Sequence, residues 1–314
     1  MTCSSFPFAS LSVRTGLLRL LPLTAALACA SSAPPPPREF DGRQALAYAR
    51  AQLAFGPRIP GSAGARRMGD WLDSMLRTRA DTVIVQAWEH VALDKKKLPL
   101  RNFLARFKPA ATTRVLFFAH WDTRPRSDGP TSTDSTAPVP GADDGASGVA
   151  VLLAMADALH AKAPEIGVDL LFVDGEDYGD FFATGTPDVL IGARWYADHP
   201  VAPLPKYAVL LDMVGDNTLQ IHQEGFSLSA APAVVEKIWG MAARLGYGST
   251  FIAGAGGQIT DDHVEFNRVG IPAVDVIDLD YPWWHTKDDT IDKISAGSLQ
   301  IVGDVMLAVV REEK

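Results

Sequence analysis

Five short stretches of this chain end an apolar run with residues that bind metals or carry protons. Phe118-Ala119-His120-Trp121-Asp122 closes a strand-like run on a histidine. Pro140-Gly141-Ala142-Asp143-Asp144-Gly145-Ala146-Ser147-Gly148 holds a carboxylate between a proline and small residues, just before an apolar helix expected over Val149 to Leu159. Asp174-Gly175-Glu176-Asp177, Leu211-Asp212-Met213 and Trp284-His285-Thr286 supply further acids and a second histidine. Zinc takes nitrogen and oxygen ligands, and a catalytic zinc keeps one position open. Asp144, Asp177 and His285 can form a three-ligand set. His120 and Asp212 can complete a second set that shares Asp144 as a bridge. Asp122, read as lying on the same strand and face as His120, is expected to fix the imidazole tautomer. Glu176, beside a ligand, is placed to take a proton from a nucleophile and hand it to a leaving group.

Each residue taken alone has an ordinary explanation. His120 can be a hydrogen-bonded histidine at a strand end, and Asp144 a helix N-cap. Glu176-Asp177 can be an acidic pair, Asp212 a turn cap, and Trp283-Trp284 core. The combination, with each member where an apolar run stops, points to a metal site.

The elements that must position these residues alternate along the chain. Helical spacing marks Gly42 to Leu53 and Ala63 to Leu76, the second capped by Ser62. Strands are expected at Thr82 to Trp88, Arg101 to Phe107, Arg114 to His120, Val168 to Val173, Tyr207 to Leu211, Leu219 to His222 and Ala273 to Ile277. Helices are expected at Val189 to Ala197, Ala231 to Leu245, Asp261 to Val269 and Ser298 to Val310. Ile252 to Gly257 reads as a glycine-rich loop, and Lys95-Lys96-Lys97 as a solvated hairpin tip. Arg124 to Val139 is a Ser/Thr/Pro/Asp-rich loop, either a rim of the site or a plain insertion. This alternation implies one α/β domain of three layers, α/β/α, around a mostly parallel mixed sheet. Ligands in such sheets gather at the carboxyl ends of strands, where His120, Glu176, Asp177 and Asp212 stand.

With 314 residues, 47% hydrophobic, the chain can bury one large core. A formal net charge of −8 argues against a nucleic-acid partner. The only two cysteines, Cys3 and Cys29, fall in the first thirty residues, so the body holds no disulfide and no thiolate zinc site. Arg14 and Arg19 flank the start of an apolar run, Leu17-Leu18 and Leu20 to Ala28, too short to span a bilayer, which reads as an export signal over residues 1–28. Ala26-Leu27-Ala28-Cys29 matches a lipoprotein site imperfectly, and Ala28-Cys29-Ala30 matches an ordinary signal-peptidase site. The first choice lipidates Cys29 and leaves residues 29–38, with four successive prolines, as a tether for a catalytic domain over 39–314. An exported, periplasmic protein whose contact with the membrane is that anchor is the expectation.

His120-Trp121-Asp122-Thr123-Arg124-Pro125, Gly141 to Gly148, Asp174 to Gly179 and Trp284-His285-Thr286 resemble the zinc-dependent exopeptidase superfamily, over about residues 42–312. That group holds di-zinc aminopeptidases and animal-type glutaminyl-peptide cyclotransferases. The chain is most similar to bacterial cyclotransferases at three places: Trp284 before His285, Thr260-Asp261-Asp262-His263-Val264-Glu265-Phe266, and Asp188 to Arg194. The resemblance implies zinc on Asp144, Asp177 and His285, with Glu176 as proton shuttle. Asp212 and one of Asp261 and Asp262 would orient the reacting groups, with Asp262 favoured. It also places Trp284 in the pocket wall. Phe182 and Tyr281 are expected to add apolar surface there. Departures are Asp177 where animal enzymes carry glutamate, Phe181-Phe182 in place of a pocket tryptophan, and no disulfide.

Two reactions fit these residues. A cyclotransferase would take peptide or protein N-termini bearing glutamine and form pyroglutamate with one zinc. An aminopeptidase would hydrolyse the first peptide bond with two, His120 and Asp212 serving the second. A binding module that merely kept the fold would need no Glu176.

Overall fold

Successive residues of the central strands point to two different hydrophobic cores, one on each face of a single sheet. The computed structural model describes residues 39–314 except 182, 184 and 186, together with 1, 2, 7 and 9. The chain divides into two units, Met1–Pro37 and Arg38–Lys314, and the second is described here. Phe182, Cys29 and nearly all of the expected leader and tether lie outside the described residues.

The strands are β1 (Thr82–Val91), β2 (Lys97–Phe107), β3 (Arg114–His120), β4 (Gly167–Val173), β5 (Ala208–Asp212), β6 (Ile221–Gln223), β7 (Phe251–Ala255) and β8 (Ala273–Ile277). The helices are α1 (Gly42–Leu53), α2 (Ala63–Arg77), α3 (Ala146–Ala161), α4 (Ile191–Asp198), α5 (Gly225–Ala230), α6 (Pro232–Arg244), α7 (His263–Arg268) and α8 (Ala296–Glu312). Six strands form one sheet in the order β1-β2-β4-β3-β5-β8. Its β4-β3-β5-β8 half is parallel, and β1 and β2 join antiparallel. This is the mostly parallel mixed sheet that the alternation of elements requires.

β3 and β4 are buried at every position, mostly by apolar residues, and their charged members Arg114 and Asp169 pair with each other at 2.9 Å. Val115, Phe117 and Ala119 face a core shared with α1, α3, α6 and α8. Leu116 and Phe118 face the opposite core, which holds Tyr196 of α4 and Phe266 of α7. The three layers follow from that alternation.

Three expectations are corrected in detail, and one short helix is added. β3 stops at His120, so Asp122 lies in the following loop and not on the strand. Ile252 to Gly257 is largely strand: β7 pairs in parallel with β6, and Phe251 is buried as its anchor. Its glycines permit close approach, since a β-carbon on Gly256 would meet Cβ of His222 at 3.0 Å. The helix expected from Ala231 starts at Pro232, which suits a first helical position because it has no N–H to leave unpaired. A separate short helix, α5, precedes it, its N-terminus capped by the Glu224 carboxylate.

Candidate metal centre

The centre is built where β3, β4 and β5 end. α3 begins at Ala146 after Gly145, which has φ 96°, and no side chain caps it. Asp144 is therefore not spent as a helix cap. A β-carbon on Gly145 would lie 2.7 Å from the Asp122 carbonyl oxygen and 3.2 Å from His120 Cε1. Glycine alone lets this turn press against the end of β3 in that conformation.

Two sets of donor atoms converge there: His120, Asp144 and Asp212, and Asp144, Asp177 and His285. His120 Nε2 lies 3.2 Å from Asp144 Oδ1 and 3.2 Å from Asp212 Oδ1. His285 Nε2 lies 3.1 Å from Asp177 Oδ1 and 3.7 Å from Asp144 Oδ2. A tetrahedral zinc with bonds of about 2.0 Å sets its ligands about 3.3 Å apart. Asp144 Oδ2 and Asp177 Oδ2 are buried without a hydrogen-bond partner. Such orphaned oxygens are costly unless a cation takes them. The nitrogen and oxygen donors thus fit zinc in both sets, with Asp144 common to the two.

Supporting contacts hold these donors in place. Asp289 accepts the backbone N–H groups of Asp143 and Asp144 at 2.9 and 3.2 Å. The buried guanidinium of Arg58 donates to the carbonyls of Pro140 and Gly141 at 2.6 and 2.7 Å. Asp122 accepts the N–H groups of Glu176 and Asp177 at 3.1 and 3.2 Å. Its Oδ1 is 3.5 Å from His120 Nδ1, which has no hydrogen-bond partner. Asp122 thus anchors the turn that carries the acidic pair, and the expected tautomer bond to His120 is not formed. Met213, after Asp212, and His285 itself adopt positive φ, 44° and 53°. Such strain in non-glycine residues persists where surrounding structure enforces it.

Glu176 is buried, with Oε2 3.8 Å from His120 Nδ1. Burial, then repulsion from Asp177, Asp261 and Asp262, holds its carboxyl well above the ordinary range, although His120 opposes the rise. Burial and Asp212 push Asp261 up to about 7. Asp262 is also raised, by burial and by Asp261, and both its oxygens lack hydrogen-bond partners. Carboxyl groups whose proton affinity is raised by burial suit general acid–base work.

The Trp284 ring stacks on His285 at 3.8 Å between centroids, and Phe181 stands 6.3 Å from the same imidazole. Tyr281, expected in the wall, is buried behind it, with its hydroxyl donating to Asp289 at 2.6 Å. Sequence reasoning missed Arg58, Asp289, Arg124 and Asp128. Arg58 had one signal, its place between prolines in Phe-Gly-Pro-Arg-Ile-Pro. Asp289 sits among exposed-looking polar residues and had none.

Residues 102–310 match the family model described as peptidase family M28. A Zn-dependent exopeptidase from Parabacteroides distasonis is 40% identical with TM-score 0.83, covering 87% of this chain and 99% of that one. Glutaminyl cyclase from Bacteroides thetaiotaomicron is 36% identical with TM-score 0.84, covering 88% and 99%. Aminopeptidase YwaD of Bacillus subtilis is 29% identical over 217 residues, 63% of this chain. The chain spans 40% of that curated relative's length.

Proposed function

The chain belongs to peptidase family M28, and we propose that within it this protein is a zinc-dependent glutaminyl-peptide cyclotransferase. It closes the N-terminal glutamine of peptides or proteins to pyroglutamate and releases ammonia. The observation that carries this choice is the repeated likeness to glutaminyl cyclases, three bacterial ones each covered over 99% of its length at 36–38% identity; a leucine aminopeptidase precursor is covered to the same extent, so the peptide assay below decides between the two.

In this reading one zinc is held by Asp144, Asp177 and His285, and when bound it supplies Lewis acidity at the side-chain amide carbonyl. The substrate's own α-amine attacks the amide carbon of the same residue, so the nucleophile is already close. Glu176 accepts the proton from that amine as the new C–N bond forms. It then gives the proton to the departing nitrogen, and ammonia leaves. Asp212 and Asp262 orient the amine and amide. Trp284, with Phe181 across His285, narrows the pocket and limits water, which would otherwise compete with the amine.

A di-zinc aminopeptidase is the second reading, favoured by the position of Asp144 between the two donor sets. Mass spectrometry of Gln-Phe-Ala and Leu-Phe-Ala incubated with the zinc-loaded protein separates them. Loss of one ammonia from the glutamine peptide, with both peptides otherwise intact, is expected. Release of free leucine or glutamine would replace cyclisation by hydrolysis.

The leader suggests that the chain is exported to the periplasm and anchored through a lipid on Cys29, with residues 29–38 as tether. Among the described residues no helix is long and apolar enough to cross a membrane. Labelling cells with a clickable palmitate tests the anchor: label is expected on the wild-type chain and lost in Cys29→Ala, and an unlabelled wild-type chain rejects it.

A further inference from the structure

Arg124 opens the loop over residues 124–139 and is 4% exposed. Its Nη1 donates to Asp177 Oδ1 at 2.8 Å and to the Asp177 carbonyl at 3.3 Å. Its Nε and Nη2 donate to the two oxygens of Asp128, at 2.5 and 2.8 Å. Asp128 Oδ1 then lies 3.6 Å from Nδ1 of His285. The backbone adds a second tie, since the Gly129 N–H donates to the His285 carbonyl at 2.9 Å. A β-carbon on Gly129 would fall 2.2 Å from the Trp284 carbonyl oxygen, so the loop reaches this segment only through a glycine.

The geometry points to Arg124 and Asp128 as positioning residues for the metal, a buried clamp that joins the Asp177 and His285 ligands before zinc arrives. The inference rests on the reading that Asp144, Asp177 and His285 hold zinc. A guanidinium suits the task because its donors lie in one rigid plane, which reaches two carboxylates at once. It fixes the orientation of the Asp177 carboxylate by bonding Oδ1, and leaves Oδ2 buried without a hydrogen-bond partner. Asp128 places negative charge beside Nδ1, which favours a proton there and a lone pair on Nε2, the nitrogen that faces Asp177 and Asp144. The loop is in this way part of the metal centre's frame.

The test is zinc affinity, measured on the full chain by competition with a chromophoric chelator, for Arg124→Met, Arg124→Lys and Asp128→Asn. Loss of an outer contact to a metal ligand typically weakens binding about 10–100-fold. Arg124→Met is expected in that range, Arg124→Lys in part restored, and Asp128→Asn nearer the lower end. The melting temperature of metal-free Asp128→Asn should change little, which a merely structural role would not allow, whereas Arg124→Met also removes a buried cation and is read through its zinc affinity relative to Arg124→Lys. If Arg124→Met does not fold, Asp128→Asn decides, because its side chain is 30% exposed and its replacement has nearly the same volume. Zinc affinities within twofold of the parent would overturn the clamp. Ammonia release by the parent, measured in parallel, judges the cyclase reading separately: its absence would refute cyclisation and leave the chelator result to decide the clamp.

Discussion

The indole of Trp284 lies 3.8 Å from the imidazole of His285, with the two planes 24° apart. In the proposed reading the first ring lines the space a substrate would use, and the next residue in the chain offers a nitrogen to the metal set. Removing the indole should therefore damage turnover while leaving the ligands present. Trp284→Leu is expected to lower kcat/KM for a glutamine peptide about 10–100-fold, the cost of a misplaced substrate. Steady-state ammonia release checks it, and an unchanged kcat/KM would remove Trp284 from the wall.

Glu176→Gln keeps the volume and hydrogen-bonding shape of the side chain but cannot carry the proton. Turnover should fall at least about a hundredfold, in line with loss of a general base. Zinc content by atomic emission should stay at the parent value, because Glu176 belongs to neither donor set. Equal activity would sink the assigned role.

Zinc removal should cost stability as well as activity. Asp144, Asp177 and Asp212 crowd the two histidines in a buried space, and an ion that binds only the folded chain stabilises it by mass action. Free zinc at a thousand times its dissociation constant gives about 4 kcal/mol. Calorimetry with and without chelator should show a clear fall in Tm, reversed by added zinc. A chelator-insensitive Tm would count against a tightly bound ion.

Acid stability should depend on Glu224. Burial raises its carboxyl, but His263 and the backbone N–H groups of Phe226, Ser227 and Ile259 overcome that and bring it down to about 2. A depressed folded value stabilises above the unfolded value of about 4.3, and that contribution is lost as pH falls toward 2. Its size is on the order of 2–3 kcal/mol. Urea unfolding of Glu224→Gln should show lower stability at pH 6 and a flatter decline between pH 5 and 2, by about that amount. Parallel pH curves for the two proteins would show that the Glu224 charge is not responsible.

The grouping of the donors was legible because His120 and Asp212 each stop an apolar run and Asp177 lies four residues beyond one, where strands buried on both faces end. Glu176 came with its neighbour. The frame around them was not legible. Arg58 and Arg124 are buried cations held by carbonyls or acids far along the chain, and an isolated arginine in a sequence is normally solvated. Tyr281 was misplaced for a related reason: an aromatic next to the Trp-His pair suits a pocket wall equally well, until its hydroxyl is found on Asp289. β7 was hidden because Phe251–Ala255 lacks the β-branched run that marks most strands.

The sheet order carries a further consequence. β4, β3, β5 and β8 are consecutive in the sheet but widely separated along the chain, and the donor sets draw on residues that follow all four. No continuous fragment that stops before β8 holds a complete three-ligand set around His285. If the chain is nicked in the loop between α4 and β5, neither half can retain the ion. Recombining the halves should restore metal capture only after β3 and β5 dock edge to edge, which makes the ion a reporter of long-range assembly.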